Sequence, residues 1–179
     1  MGGKWRGRKL TVPVVDSLRP TPDRVRETLF NWLQGDIEGS VCLDLFAGSG
    51  ALSFEAASRG AREVVLVEKN KDAIEAIKLH KEMFSADEIK VIQADAMEWL
   101  QSTDYKFDVV FLDPPFTENM LLNACNLIVE KNILRPGALL YIETERGNLM
   151  EMKNLQIIKQ STAGQVQYML LEKKENDRQ

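Results

Sequence analysis

Apolar residues in this chain gather in short continuous runs, and amphipathic stretches separate the runs. Residues 41–46, 64–67, 89–92, 109–112 and 138–142 are five such runs. They are rich in Val, Ile and Leu and too short for buried helices, so they predict strands. Between them the spacing becomes helical. Helices are expected over 51–59 (closed by Gly60), from a cap at Asn70 to about Phe84, over 96–100 and over 120–129. Ahead of the first strand, Thr21 suits an N-cap and Pro22 a first helical position. Val25, Leu29, Trp32 and Leu33 then recur at helical spacing until Gly35.

Strands that are apolar throughout, alternating with helices, imply a parallel sheet covered on both faces. The end of the chain breaks the alternation. Runs at 155–158 and 166–171 flank Ala163 and Gly164, which predicts an antiparallel hairpin at the sheet edge, and Pro136 with Gly137 is expected to turn the chain into the fifth strand. The expected fold is α/β: a seven-stranded, mostly parallel sheet with a C-terminal antiparallel hairpin and helices on both faces. Residues 1–20 form an arm, 21–34 a helix, 41–171 the body and 172–179 a charged tail of one domain. A dinucleotide-binding sheet would alternate to its end, so the hairpin argues against a nicotinamide dehydrogenase.

Composition alters this picture little. The 179 residues are 44% hydrophobic and 28% charged, as in an ordinary globular domain. No apolar run nears the roughly 20 residues of a membrane helix, and the N-terminus lacks a signal-peptide pattern, so a cytoplasmic protein is expected. Cys42 and Cys125 sit among apolar neighbours and read as core residues in a reducing compartment, and His80 falls beside the buried face of its helix. Charge is more informative. Residues 1–30 carry seven basic and three acidic side chains, hence +4, which leaves −8 for the rest of a chain of net charge −4. A basic arm on an acidic body suits a phosphate backbone.

Ligands of open α/β sheets bind at the carboxyl ends of the strands. Four of those ends carry suggestive residues. Asp44 ends the first strand, and Gly48 and Gly50 follow in a turn that lets a ligand approach the backbone. This turn lacks the third glycine of a dinucleotide fingerprint and the Lys-Ser/Thr of a phosphate loop. Glu68 ends the second strand, 18 residues past Gly50, where an acid can accept from both ribose hydroxyls. Asp95, before Ala96, can cap a helix, read an adenine edge, or do both. Asp113-Pro114-Pro115-Phe116 ends the fourth strand in a stiff loop.

The chemistry of that last motif is specific. The lone pair of a nucleobase amine is delocalised into the ring, so methylating it needs acceptors on its hydrogens. The Asp113 carboxylate and the Pro114 carbonyl are such acceptors, and Phe116 offers a stacking face for an extruded base.

These elements resemble the Rossmann-like class I methyltransferases that use S-adenosylmethionine. The N-terminal segments Gly2-Gly3-Lys4-Trp5-Arg6-Gly7-Arg8-Lys9-Leu10 and residues 18–33, with 43–50, 113–116 and Gly164-Gln165-Val166, resemble the bacterial RsmD family over nearly the whole chain. The resemblance implies methylation of N2 of one guanine (position 966) in 16S ribosomal RNA. A small body with one short basic arm can grip little RNA by itself, so a partly or fully assembled small subunit is the expected substrate; direct methyl transfer requires no metal, and a monomer is expected. The resemblance places Asp44, Phe46, Gly48 and Gly50 against the methionine part of the cofactor, Glu68 and Lys69 at the ribose, and Asp95 with Ala96 at the adenine. Asp113, Pro114 and Phe116 hold and stack the target guanine, with Asp113 also beside the cofactor. Thr21 and Arg24 close over cofactor or reach RNA, and Lys4, Arg6, Arg8, Lys9 and Arg19 meet RNA.

Two other amino methylations compete with this reading. Adenine N6 in DNA is disfavoured because 179 residues leave no room for a target-recognition domain, and protein glutamine enzymes usually carry Asn where Asp113 stands. A non-catalytic RNA-binding relative is disfavoured by the intact strand-end acids.

Overall fold

A computed structural model of the chain describes residues 1–10, 22–115, 119–147 and 154–174. Seven strands form one sheet: β1 (Val41–Asp44), β2 (Glu63–Glu68), β3 (Ile89–Gln93), β4 (Phe107–Leu112), β5 (Leu134–Glu145), β6 (Leu155–Ala163) and β7 (Val166–Lys173). Their order is β3-β2-β1-β4-β5-β7-β6. The first five are mutually parallel, and β7 runs antiparallel to both β5 and β6. The sheet thus has the Rossmann-like methyltransferase architecture expected of the sequence.

Helices cover both faces. On one, α1 (Asp23–Trp32), α2 (Ala51–Ser58) and α3 (Lys71–Phe84) bury Leu29, Phe30, Phe54, Ile74 and Ile77 against Leu66, Phe111 and Tyr141. On the other, α4 (Ala96–Ser102) and α5 (Met120–Glu130) bury Leu100, Ala124 and Ile128 against Leu43, Val67 and Leu112. Neighbouring strand residues therefore feed opposite cores, as continuous apolar runs require.

Several boundaries differ from expectation. Helix α1 starts at Asp23 with Pro22 as its N-cap, and it stops at Trp32, ahead of Gly35; the cap expected at Thr21 lies outside the described residues. Strand β1 stops at Asp44, where the chain enters the glycine turn. Pro136 and Gly137 do not precede the fifth strand but lie inside it. Pro136 has no N–H for the ladder, and the register jumps from Phe107↔Leu134 to Val109↔Leu139, so the dipeptide loops out as a bulge. The hairpin loop is Gly164-Gln165, with Ala163 still in β6, and Glu172 and Lys173, expected in the tail, continue β7. The antiparallel strand is also not at the edge. β7 inserts between β5 and β6, so β6 takes the edge.

The arm is docked. Trp5, in a 3-10 turn (Gly3–Trp5), is buried with its ring stacked on Phe84 at 5.2 Å and tilted against Phe54 at 6.2 Å. The Trp5 N–H donates to Ser58 Oγ, which donates in turn to the Gly2 carbonyl, and the Gly2 N–H donates to Glu55. Gly3 fits only as glycine: its φ is +60°, and an added Cβ would lie 1.8 Å from the Ser58 carbonyl oxygen. Among the described residues, no helix is long and apolar enough to cross a membrane.

A strand-end crevice as the candidate active site

Parallel strands align their carboxyl ends, and the sheet order reverses direction between β1 and β4. At that junction Asp44 is registered with Phe111, two residues before Asp113, and the Leu45 N–H donates to the Phe111 carbonyl at 3.2 Å. The glycine turn after β1 and the proline loop after β4 therefore leave the sheet side by side, about 4.8 Å apart. Ligands of such sheets bind at this reversal.

The turn is held from three sides. Gly50 caps α2 at φ +77°, and an added Cβ would press on Leu66 and Phe54 at 3.3 Å. The Gly48 N–H donates to Glu68 Oε2 at 2.8 Å, while the Asn70 N–H donates to Glu68 Oε1 at 2.8 Å. Glu68 thus clamps the turn to the end of β2. A carboxylate offers about four acceptor positions, so two bonds do not exhaust it. Asp44 is buried beneath the turn and accepts from Ser53 Oγ at 2.7 Å. Burial, opposed by the Ser53 hydrogen bonds and aided by the Glu68 charge, pushes its carboxyl up to about 6. A buried carboxylate with that bias favours a cation beside it.

Other candidates are distributed around this core. Asp95 accepts from the Met97 and Glu98 N–H groups and caps α4, so the capping half of its expected role is realised. Ala96 is buried, Phe46 is half-buried, and Lys69 is exposed next to Glu68. Pro114 is buried and Asp113 half-buried at the end of β4; Phe116 lies outside the described residues. The thiols of Cys42 and Cys125 are buried and pushed up to about 12, so neither is an available nucleophile. His80 is buried against Phe54 and Phe84, as its helical position suggested.

The described basic residues of the arm, Lys4, Arg6, Arg8 and Lys9, do not join this crevice. Lys4 pairs with Glu88, which immediately precedes β3, and Trp5 sits on the last turn of α2. Both lie at the amino ends of the strands, and seven strand-like residues from Glu88 to Asp95 span about 20 Å. Arg6, Arg8 and Lys9 are exposed there, with Arg8 over the Phe84 ring at 5.5 Å. Arg24 is exposed on α1; Arg19 and Thr21 lie outside the described residues.

A family model described as conserved hypothetical protein 95 matches residues 1–172. The chain belongs to this family, the RsmD family. Ribosomal RNA small subunit methyltransferase D of Haemophilus influenzae is 45% identical, over 95% of this chain and 91% of the relative. Its Escherichia coli K12 counterpart, of the same name, is 41% identical over 97% and 88%. A solved Escherichia coli structure, named as a candidate methyltransferase, superposes with a TM-score of 0.89 at 41% identity, covering 97% of this chain and 96% of that one.

In this RsmD-family chain the sequence reading missed three contributors to the crevice. Ser53 supports Asp44 from the first turn of α2. Glu143 is buried at the end of β5, and Tyr141 Oη donates to its Oε1 at 2.8 Å. Glu143 was discoverable, because it is one more acid ending an apolar strand.

Proposed function

We propose that this protein transfers a methyl group from S-adenosylmethionine to N2 of a guanine in small-subunit ribosomal RNA, acting on a partly or fully assembled subunit. The observation that carries the reading is the junction at the carboxyl ends of β1 and β4. There a glycine turn over a buried, cation-favouring carboxylate lies beside Asp113 and Pro114. Family membership and the names of the relatives support the reaction and the class of RNA.

The crevice fits the cofactor by the chemistry of its donors and acceptors. Asp44 would hold the cationic methionine end, with Phe46, Gly48 and Gly50 leaving room for it, and Glu68 and Lys69 would hold the ribose. Asp95 and Ala96 flank the adenine position. When bound, S-adenosylmethionine supplies an electrophilic methyl group. Asp113 and the Pro114 carbonyl accept the two hydrogens of the target amine and turn its lone pair outward, and Phe116 stacks the base. The proton lost on methylation leaves on the Asp113 side.

Lys4, Arg6, Arg8 and Lys9 would grip phosphates at the far end of the sheet, and Arg19 and Arg24 would add further phosphate contacts. An RNA engaging both ends must follow the side of the protein for about 20 Å, which a folded subunit surface does more readily than a short strand.

The test is incubation of unmodified small subunits with labelled S-adenosylmethionine, followed by nucleoside analysis. N2-methylguanosine supports the assignment; label in adenosine, or in protein, refutes it.

A further inference from the structure

The register of β4 and β5 carries a second carboxylate to the target loop. Leu112 is registered with Ile142, so the next residues, Asp113 and Glu143, stand on adjacent strands at the same height. Phe111 and Tyr141 point into one core and Leu112 and Ile142 into the other, so Asp113 and Glu143 share the face of Phe111 and Tyr141. Tyr141 couples to both: its hydroxyl donates to Glu143 at 2.8 Å and feels the charge of Asp113. Glu143 is 5% exposed and registered on its other side with Tyr168 of β7.

Guanine presents two adjacent donors, N1–H and the N2 amino group. Adenine presents an acceptor at the ring nitrogen beside its amine, and so does cytosine. Two carboxylates side by side match the first edge and repel the others. We infer that Glu143, oriented by Tyr141, accepts the N1–H of the target base while Asp113 takes the amine, and that Glu143 thereby selects guanine. This inference rests on the guanine-N2 reading above.

The discriminating substrate is 2-aminopurine, which keeps the N2 amine but has an acceptor at N1. Ligated 16S RNA carrying guanine or 2-aminopurine at the methylated position would be assembled into subunits and assayed with wild type, Glu143→Gln and Tyr141→Phe. Wild type should prefer guanine. Glu143→Gln, whose amide can donate to N1, should lower the guanine-to-2-aminopurine ratio of kcat/KM by about 10- to 100-fold, the size of one charge-assisted hydrogen bond. Tyr141→Phe, which keeps the carboxylate but removes the bond that orients it, should lower the ratio in the same direction but by less than Glu143→Gln.

Because the ratio is taken within one enzyme, partial misfolding of a variant cancels. A ratio unchanged in Glu143→Gln, or a wild type indifferent to the two bases, overturns the role of Glu143. Failure of wild type on guanine itself would overturn the parent reading instead.

Discussion

Replacing Asp44 by Asn should stabilise the unliganded protein by an amount that grows with pH. The native carboxyl is pushed from 3.8 to about 6, chiefly by burial. Native Asp44 therefore holds its proton more tightly than the unfolded chain does, and the folded state loses stability as pH rises from about 4 to 6. Two pH units correspond to about 3 kcal/mol, fully developed by pH 8 and partly relieved at pH 5, so the change between those conditions is about 1.4 kcal/mol. Asn cannot ionise. Any cost of burying its NH2 group is the same at both pH values, and His80 titrates equally in the two proteins. The stability gap between variant and wild type should thus widen by about 1.4 kcal/mol from pH 5 to pH 8, or about 3–6 °C in Tm for a chain of this size. Thermal melts of both proteins at the two pH values measure it directly. A gap independent of pH would show that Asp44 is not strained by ionisation, and the argument for a cation site beneath the glycine turn would fall. The same variant should bind S-adenosylmethionine about 10- to 100-fold more weakly, by calorimetry.

Asp113→Ala should lower turnover by at least about 100- to 1000-fold with little change in cofactor Kd; parallel losses in both would assign Asp113 to cofactor binding alone. Trp5→Ala should cost about 3–5 kcal/mol, because it empties the space between Phe54 and Phe84. A loss below about 1 kcal/mol in chemical denaturation would mean that the arm docks without supporting the core. Neutralising Arg6, Arg8 and Lys9 together should weaken subunit binding and flatten its salt dependence, with the single-turnover rate on saturating subunits unchanged. An unaltered salt slope would remove the arm from the RNA contact.

The strands and most helices were legible because each carries a local signal. Parallel strands are apolar throughout, and Asn70 and Asp95 cap their helices as their chemistry requires. The errors fall where distant pairing decides. Periodicity cannot reveal that β7 inserts between β5 and β6, because strand order follows from which faces remain to be covered. Nor can it reveal that pairing with β4 on both sides of Pro136, at Leu134 and again from Leu139, carries β5 through the dipeptide. The strand-end acids at Asp44, Glu68, Asp95 and Asp113 stood out in sequence because the fold class says where to look. Glu143 obeys the same rule, yet its importance shows only when the register sets it beside Asp113. The location of the arm was beyond sequence reasoning. Trp5 is a lone apolar residue, and its partner Ser58 lies 53 positions away.

The measurement that tests the account most directly is mass mapping of 16S RNA from cells lacking this protein. One guanine should lose a single methyl group from N2. Resupply of the wild-type chain should restore the methyl, and resupply of Asp113→Ala should not. An unchanged methylation map, or restoration by the Asp113 variant, would contradict the central claim.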